Sequence, residues 1–298
     1  MTSPKIIIGS RGSDLALWQA NHVKNQLEEL GCEVIIKIIK TQGDTIQHLS
    51  FDKMEGKGFF TKELETALLA NEIDLAVHSH KDLETTFPKG LTIAAVSERE
   101  NPSDLLLMRK DRMDNNRFWS LPENAIVGTS SARRKSQVMR FCPDIEIKDL
   151  RGNVPTRIQK LREGQYDAIL LASAGVLRLE LDLSEFYTQE LSPTEFIPAP
   201  AQGVLGLQIR EADTSLASIL KNLNNQEVQK CIAVERAVLN KLDGGCQLPL
   251  GVYCPDEKHV YVSYSTDWTK GASWEEYEID DLENIADIIV EDLKEQEA

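Results

Sequence analysis

Two stretches of this chain repeat one plan. Residues 61–79 read as a helix, a turn and a strand opening on Asp74; residues 156–173 read as a helix, a turn and a strand opening on Asp167. Ahead of the first copy, strands at 5–9 and 33–40 flank a helix at 15–30, with Gly31 just past its end. Strands alternating with helices predict a mostly parallel sheet. Asn101-Pro102-Ser103-Asp104 separates the copies, and Pro193, Pro198 and Pro200 mark a second break where a restricted backbone suits a crossing. The pattern predicts two similar α/β lobes joined by two crossings. Between them it places a cleft, beyond the carboxyl ends of the strands where such sheets bind ligands. From about residue 226 the pattern changes. Val228, Ile232, Leu239 and Leu242 form a helical stripe that stops at Gly244-Gly245; alternating strands at 259–264 and 274–279 and an acidic helix near 282–295 follow. The expected layout is a first lobe over 1–100 and 197–217, a second over 101–196, and a small α+β domain over 218–298.

Charge narrows what such a cleft would hold. The chain carries a net charge of −15, which disfavours a nucleic-acid backbone as partner. Between Gly128 and Arg178, however, ten basic residues meet five acidic ones. A local positive field in an acidic molecule suits a small anion. The opening residues lack the pattern of a signal peptide, and no apolar run approaches the roughly 20 residues that span a bilayer, so a cytoplasmic protein is expected. Five cysteines without a Cys-x-x-Cys pair predict reduced thiols rather than a disulfide framework or structural zinc.

Basic and hydroxyl residues recur where strands become helices. Ser10-Arg11-Gly12-Ser13 opens the first helix, Gly128-Thr129-Ser130-Ser131-Ala132-Arg133-Arg134 opens another, and Arg151-Gly152-Asn153-Val154-Pro155-Thr156-Arg157 a third. Helix N-termini present free N–H groups and a positive dipole end, and arginine adds a planar two-point clamp for carboxylates. A plainer reading has Ser and Thr capping helices while the arginines sit in water. Three such sites together favour a ligand with several negative groups. No nucleotide-binding glycine loop is present; Gly56-Lys57-Gly58 is not one.

Two further clusters stand out. His78-Ser79-His80-Lys81-Asp82 closes a strand of the first lobe; the His-x-His pair lacks a third ligand nearby, so no metal is predicted. Asp82 is a carboxylate able to move protons or stabilise a developing cation, unless it is only the partner of Lys81 in a surface ion pair. Gly244-Gly245-Cys246-Gln247-Leu248-Pro249 forms a loop that can bring a thiol to a ligand; a cysteine after a helix C-terminus gains nothing from the dipole, and alone it reads as packed.

In order, these motifs resemble the porphobilinogen deaminase (hydroxymethylbilane synthase) family from about residue 6 to residue 251. The resemblance rests on Gly-Ser-Arg-x-Ser-x-Leu-Ala at 9–16, Gly-Lys-Gly-x-Phe-x-Lys-Glu-Leu-Glu at 56–65 and Ala-Val-His-Ser-x-Lys-Asp at 76–82. It continues through Gly-Thr-Ser-Ser-x-Arg-Arg at 128–134, Leu-Arg-Gly-Asn-Val-x-Thr-Arg at 150–157, Gln202-Gly203 and Gly-Gly-Cys-Gln-x-Pro at 244–249. Each is weak alone; seven in register are specific. The resemblance implies a transferase of tetrapyrrole (porphyrin and heme) biosynthesis that joins four porphobilinogen molecules head to tail, releasing ammonia, to give hydroxymethylbilane. It implies a dipyrromethane cofactor, built from substrate and held by a thioether to Cys246. Ammonia loss leaves an azafulvenium cation, and the family's aspartate, here Asp82, stabilises it. The same matching assigns Lys81, Ser131, Arg133, Arg134 and Ser13 to the cofactor. It assigns Arg11, Arg151, Arg157, Arg178, Phe60 and Gln202 to substrate and growing chain, with the loop around 53–57 as a cover. A monomer is expected, acting on small molecules and binding neither nucleic acid nor membrane.

The chain departs from the family pattern at His80, where methionine is common, and at Ala201-Gln202-Gly203, where Gly-Gln-Gly is usual; a trimmed third domain is also expected. The lobes are expected to be of the periplasmic-binding-protein kind. That leaves an alternative, a non-enzymatic solute-binding protein for a small polycarboxylate, although such proteins usually carry an export signal and have no use for Cys246. A cysteine–histidine hydrolase is a further rival without a local signature here.

Overall fold

The computed structural model describes residues 3–41, 61–244 and 247–296. These residues gather into two compact units, one of 3–41, 61–100 and 203–230, the other of 101–202 and 231–296.

The first unit is an α/β lobe. Its elements are β1 (Lys5–Ser10), α1 (Asp14–Glu29), β2 (Glu33–Ile38), α2 (Lys62–Leu69), β3 (Leu75–Ser79) and β4 (Leu91–Val96), joined after the chain returns by β10 (Leu205–Arg210) and α6 (Thr214–Leu220). The sheet order is β2-β1-β3-β10-β4. β1 runs parallel to β2 and β3, while β10 is antiparallel to β3 and β4. Helix α1 forms because Ser13 caps it, Asp14 meets its positive end, and Ala20, Val23 and Leu27 fall at helical spacing. That stripe packs on Ile6, Ile8, Val34, Leu75 and Val77, with Leu216 and Leu220 of α6 completing the same core. Leu64 and Leu68 of α2 cover the opposite face, against Ile73, Ala76 and Leu91.

The second unit contains a lobe of the same plan. It comprises β5 (Asp104–Arg109), β6 (Ile126–Gly128), α3 (Ala132–Phe141), β7 (Glu146–Lys148), α4 (Val154–Arg162), β8 (Ala168–Ala172), α5 (Ser173–Arg178) and β9 (Phe186–Leu191). Its order is β7-β6-β8-β5-β9. β6 takes the place of β1, β7 of β2, β8 of β3, β5 of β10 and β9 of β4. The register agrees at residue level: Gly9 faces Ala76 as Gly128 faces Ile169, and a Cβ on either glycine would strike the side chain preceding the repeated aspartate, Ile73 at 2.3 Å or Tyr166 at 2.7 Å. The short echo is thus one corner of a full five-stranded repeat.

One expectation is corrected. Each lobe's sheet is mixed, with two parallel and two antiparallel pairings, rather than mostly parallel. The strand that follows a crossing, β5 or β10, enters next to the end of β8 or β3 and must run the opposite way.

The rest of the second unit is a three-stranded antiparallel sheet of β11 (Leu250–Tyr253), β12 (His259–Tyr264) and β13 (Glu275–Glu278). Helices α7 (Gln226–Lys241) and α8 (Ile285–Glu295) share its core through Val238, Val252, Val260, Val262, Ile289 and Leu293. Among the described residues, no helix is long and apolar enough to cross a membrane.

Candidate active site

In the first lobe the candidate residues sit where adjacent parallel strands end. β1 hands over to Ser10-Arg11-Gly12-Ser13. The Ser13 hydroxyl accepts the Ala16 N–H at 3.4 Å, and Ser10 Oγ donates to the carbonyls of Arg11 and Ala16 at 3.0 and 3.1 Å. β3 ends in a single tight turn, His80–Asp82, which leaves Asp82 exposed and Lys81 half-buried. This turn is fastened from three sides. Gln19 of α1 donates to Ser79 Oγ at 2.9 Å, the His80 N–H donates to Val204 O at 2.9 Å, and His78 Nε2 lies 3.0 Å from Gln208 Oε1. Gln208 in turn donates its amide N–H to Glu65 Oε1 at 3.1 Å, so its oxygen is the acceptor and His78 carries its proton on Nε2. Burial, reinforced by the charge of Arg11 and opposed by the Gln208 bond, pushes the His78 pKa down to about 4. The histidine is therefore a neutral strut whose Nε2 is taken up by a glutamine.

In the second lobe two arginine-bearing loops are tied together. After β6, the Thr129 N–H donates to Lys148 O at 2.9 Å, and Ser130 Oγ both donates to Leu150 O and accepts from Leu150 N at 3.0 Å. Ser131 caps α3 through the Arg134 N–H at 3.4 Å. After β7, Asn153 caps α4 through the Thr156 N–H at 3.0 Å, and Pro155 occupies its first turn, where no N–H is needed. Gly152 takes φ +115°, a conformation closed to other residues, which lets Arg157 Nε reach its carbonyl at 2.7 Å while Lys160 donates to Arg151 O at 2.9 Å. Arg178 ends α5 as a buried side chain. Ser131, Arg151, Arg157 and Arg178 thus all follow the carboxyl ends of β6, β7 and β8.

Arg133 and Arg134 are neither in water nor on the surface: they are 4% and 6% exposed. Arg133 Nη1 donates to Asp104 Oδ2 at 2.7 Å and to Ile197 O at 2.8 Å. Arg134 donates to Asp104 Oδ1 through Nη2 at 2.7 Å and Nε at 3.2 Å, and to Leu170 O at 3.0 Å. Asp104 is wholly buried. Burial would raise its pKa, but the Arg133 and Arg134 guanidiniums outweigh that and hold the carboxyl well below the usual carboxylate range. Removing each ion from water costs several kcal/mol, so a cluster with two cations and one anion is an expensive arrangement for a fold to keep. Arg133 Nε is also buried without a hydrogen-bond partner among the described residues. Gln202, expected among the substrate contacts, is fully buried as well; its amide donates to Pro102 O at 2.7 Å and Asp104 Oδ1 at 3.0 Å.

Asp104, Gln208 and Glu65 carry this geometry and were not singled out from the sequence. A Ser-Asp pair just after a proline reads as a turn, and nothing local shows that it enters a strand beside two arginines. Phe60, Cys246 and the covering loop around 53–57 lie outside the described residues. A cavity of about 160 Å³ lined by Phe118, Trp119, Phe141 and Phe196 contains none of the predicted site residues.

Fold and loops define the class: an α/β protein with two lobes of one plan, in each of which arginines stand beside capped helix ends that follow the strands. Residues 6–218 match the family model described as "Porphobilinogen deaminase, dipyromethane cofactor binding domain", and residues 229–262 match that of the "Porphobilinogen deaminase, C-terminal domain". The porphobilinogen deaminases of a Nitratiruptor species and of Sulfurimonas denitrificans are each 46% identical to this chain, over 83% of it and 78% of their own length. That of Chromobacterium violaceum is 44% identical over 84% of this chain and 79% of its own. Among solved structures, a periplasmic binding protein of Salmonella typhimurium with high arginine specificity aligns over 80% of this chain and 99% of that one, at 12% identity and a TM-score of 0.41. The chain belongs to the porphobilinogen deaminase family.

Proposed function

We propose that this chain condenses four porphobilinogen molecules head to tail, with loss of ammonia at each addition, to give hydroxymethylbilane in tetrapyrrole biosynthesis. The observation that carries the proposal is the buried Arg133–Arg134–Asp104 cluster within the family-matched segment: it keeps a surplus positive charge and a spare donor at Arg133 Nε. Those features fit a group that brings carboxylates of its own, as a dipyrromethane does. When bound through a thioether to Cys246, this cofactor supplies the terminal pyrrole that attacks the activated substrate.

The chain's own residues have the following parts. Arg133, Arg134, Ser131, Lys81 and Ser13 hold the cofactor's acidic side groups. Arg11, Arg151, Arg157 and Arg178 neutralise the substrate and the lengthening chain, each new unit of which adds two carboxylates, and Phe60 covers it. Asp82, exposed at the end of β3 and held in its turn by the Gln19 and His78 contacts, offers its carboxylate to the pyrrole N–H as ammonia leaves and positive charge develops. The proton lost from the attacking pyrrole carbon, as the new carbon–carbon bond forms, balances each addition; at release the bond to the primer breaks and one water adds to the freed chain's terminal methylene, supplying the product's hydroxyl. The three-domain division assigns cofactor attachment to the C-terminal α+β domain, and the protein acts in the cytoplasm as a monomer.

Incubation of the purified protein with porphobilinogen tests this: one ammonia per substrate consumed is expected, with a linear tetrapyrrole as product. Asp82→Asn should fold normally and lose turnover by about a hundredfold or more, as when a charge-stabilising group is removed. Near-normal turnover in that variant would take Asp82 out of the chemistry.

A further inference from the structure

The two lobes provide an internal control on each other. Asp104 opens β5 opposite Ala172, the last residue of β8; the corresponding position in the first lobe, opening β10 opposite Ser79, is Leu205, which is 1% exposed. The same topology therefore closes with a leucine at this point, and the fold does not require a carboxylate there. What the second lobe has in addition is the arginine pair. Among the described residues, Asp104 is the carboxylate paired with both guanidiniums, taking Arg133 on Oδ2 and Arg134 on Oδ1. Gln202, from the return crossing, donates to the same Oδ1, and its grip on Pro102 O fixes the backbone just ahead of Asp104.

We propose that Asp104 is a positioning residue for the cofactor arginines, with Gln202 as its brace. It cancels one of two neighbouring positive charges, so that both guanidiniums can stay buried side by side. It also fixes the direction in which their remaining donors, Arg133 Nε among them, meet the carboxylates of the pyrrole primer. Gln202 thereby acts through Asp104 rather than on the substrate. The inference rests on the cofactor reading above.

The test uses intact mass, circular dichroism and melting of the full-length protein, comparing wild type with Asp104→Asn and Asp104→Glu. Each is purified without cofactor and then incubated with porphobilinogen, and gain of the dipyrromethane mass is followed in time. Charge and direction predict that Asp104→Asn loads about tenfold or more slowly, while Asp104→Glu, which keeps the anion, recovers part of the rate even if it melts lower. A purely structural role predicts the reverse order, since Asn matches the shape of Asp and Glu adds a methylene to a packed site. Loading that follows melting temperature, or a folded Asp104→Asn that loads as fast as wild type, overturns the proposal. If Asp104→Asn does not fold, Gln202→Leu decides: all charges remain, and loading slowed severalfold supports the brace, whereas an unchanged rate contradicts it. Failure of wild type itself to gain the mass would refute the cofactor reading instead.

Discussion

Asp74 and Asp167 perform the same task in the two lobes. Each carboxylate accepts the N–H of a residue in the adjacent parallel strand, Ile7 at 2.9 Å and Ile126 at 2.8 Å, and each backbone N–H returns a bond to that residue's carbonyl at 2.8 and 2.9 Å. Each also binds an arginine from the antiparallel strand or just beyond it: Arg210 Nη2 donates to Asp74 at 2.9 Å and Arg112 Nε to Asp167 at 2.7 Å. The repeated aspartate is thus a fold residue that locks the start of the unit's strand to its neighbour. Asp74→Ala and Asp167→Ala should each cost about 2–3 kcal/mol, because a strand N–H and a guanidinium lose their acceptor together. Denaturant melts of the two variants check this; losses under about half a kcal/mol in both would show the bonds to be incidental.

His78 gives the folded state a signature in pH. Its pKa is about 4 in the folded chain, depressed by burial first and by Arg11 second, against an ordinary 6.5. The unfolded chain therefore takes up a proton at a pH where the folded one refuses it, so stability falls as pH drops from about 6.5 to 4 and the loss levels off below that. The contribution approaches about 3 kcal/mol at the acid end. Asp104 acts in a lower window, since its stabilisation is present above the ordinary carboxylate pKa and is lost only as pH falls below it. Unfolding curves of wild type and His78→Asn, measured between about pH 4 and 7, should converge or cross as pH falls. Parallel curves would show that His78 does not resist protonation.

The return crossing holds a residue in a conformation that suits glycine. Ala201 is fully buried at φ +61°, and its N–H donates to Glu235 Oε2 at 2.6 Å, while Oε1 of the same buried Glu235 accepts the Cys254 N–H at 2.8 Å. Those bonds hold the alanine in the left-handed region. Ala201→Gly should raise stability by about 1 kcal/mol. Two residues on, Gly203 at φ +89° would place a Cβ 2.2 Å from Glu100 O, so Gly203→Ala should destabilise by about 3 kcal/mol or more. Thermal melts showing both alanine–glycine exchanges neutral would mean that the crossing relaxes freely.

Much of this was readable in the residues because it is local. Ser13, Ser131 and Asn153 act as the caps their positions announce, and the helix–turn–strand echo, set by periodicity and by Asp74 and Asp167, marks a real repeat. Strand direction was not readable, since β5 and β10 owe theirs to distant partners, β8 and β3. Nor was burial: Arg133 and Arg134 look like solvent-facing ligands until Asp104, about thirty positions earlier, is placed beside them. Asp104 became informative only when the register set it opposite Ala172 where the first lobe has Leu205 opposite Ser79.

Cys32, Cys142, Cys231 and Cys254 are buried, and burial pushes the Cys142 thiol up to about 11, whereas the proposed attachment is to Cys246. The intact mass of the purified protein is therefore the most direct test. It should exceed the polypeptide mass by one dipyrromethane in wild type and match the bare polypeptide in an inactive Cys246→Ser variant. A wild-type protein at bare polypeptide mass that still converts porphobilinogen at full rate would contradict it.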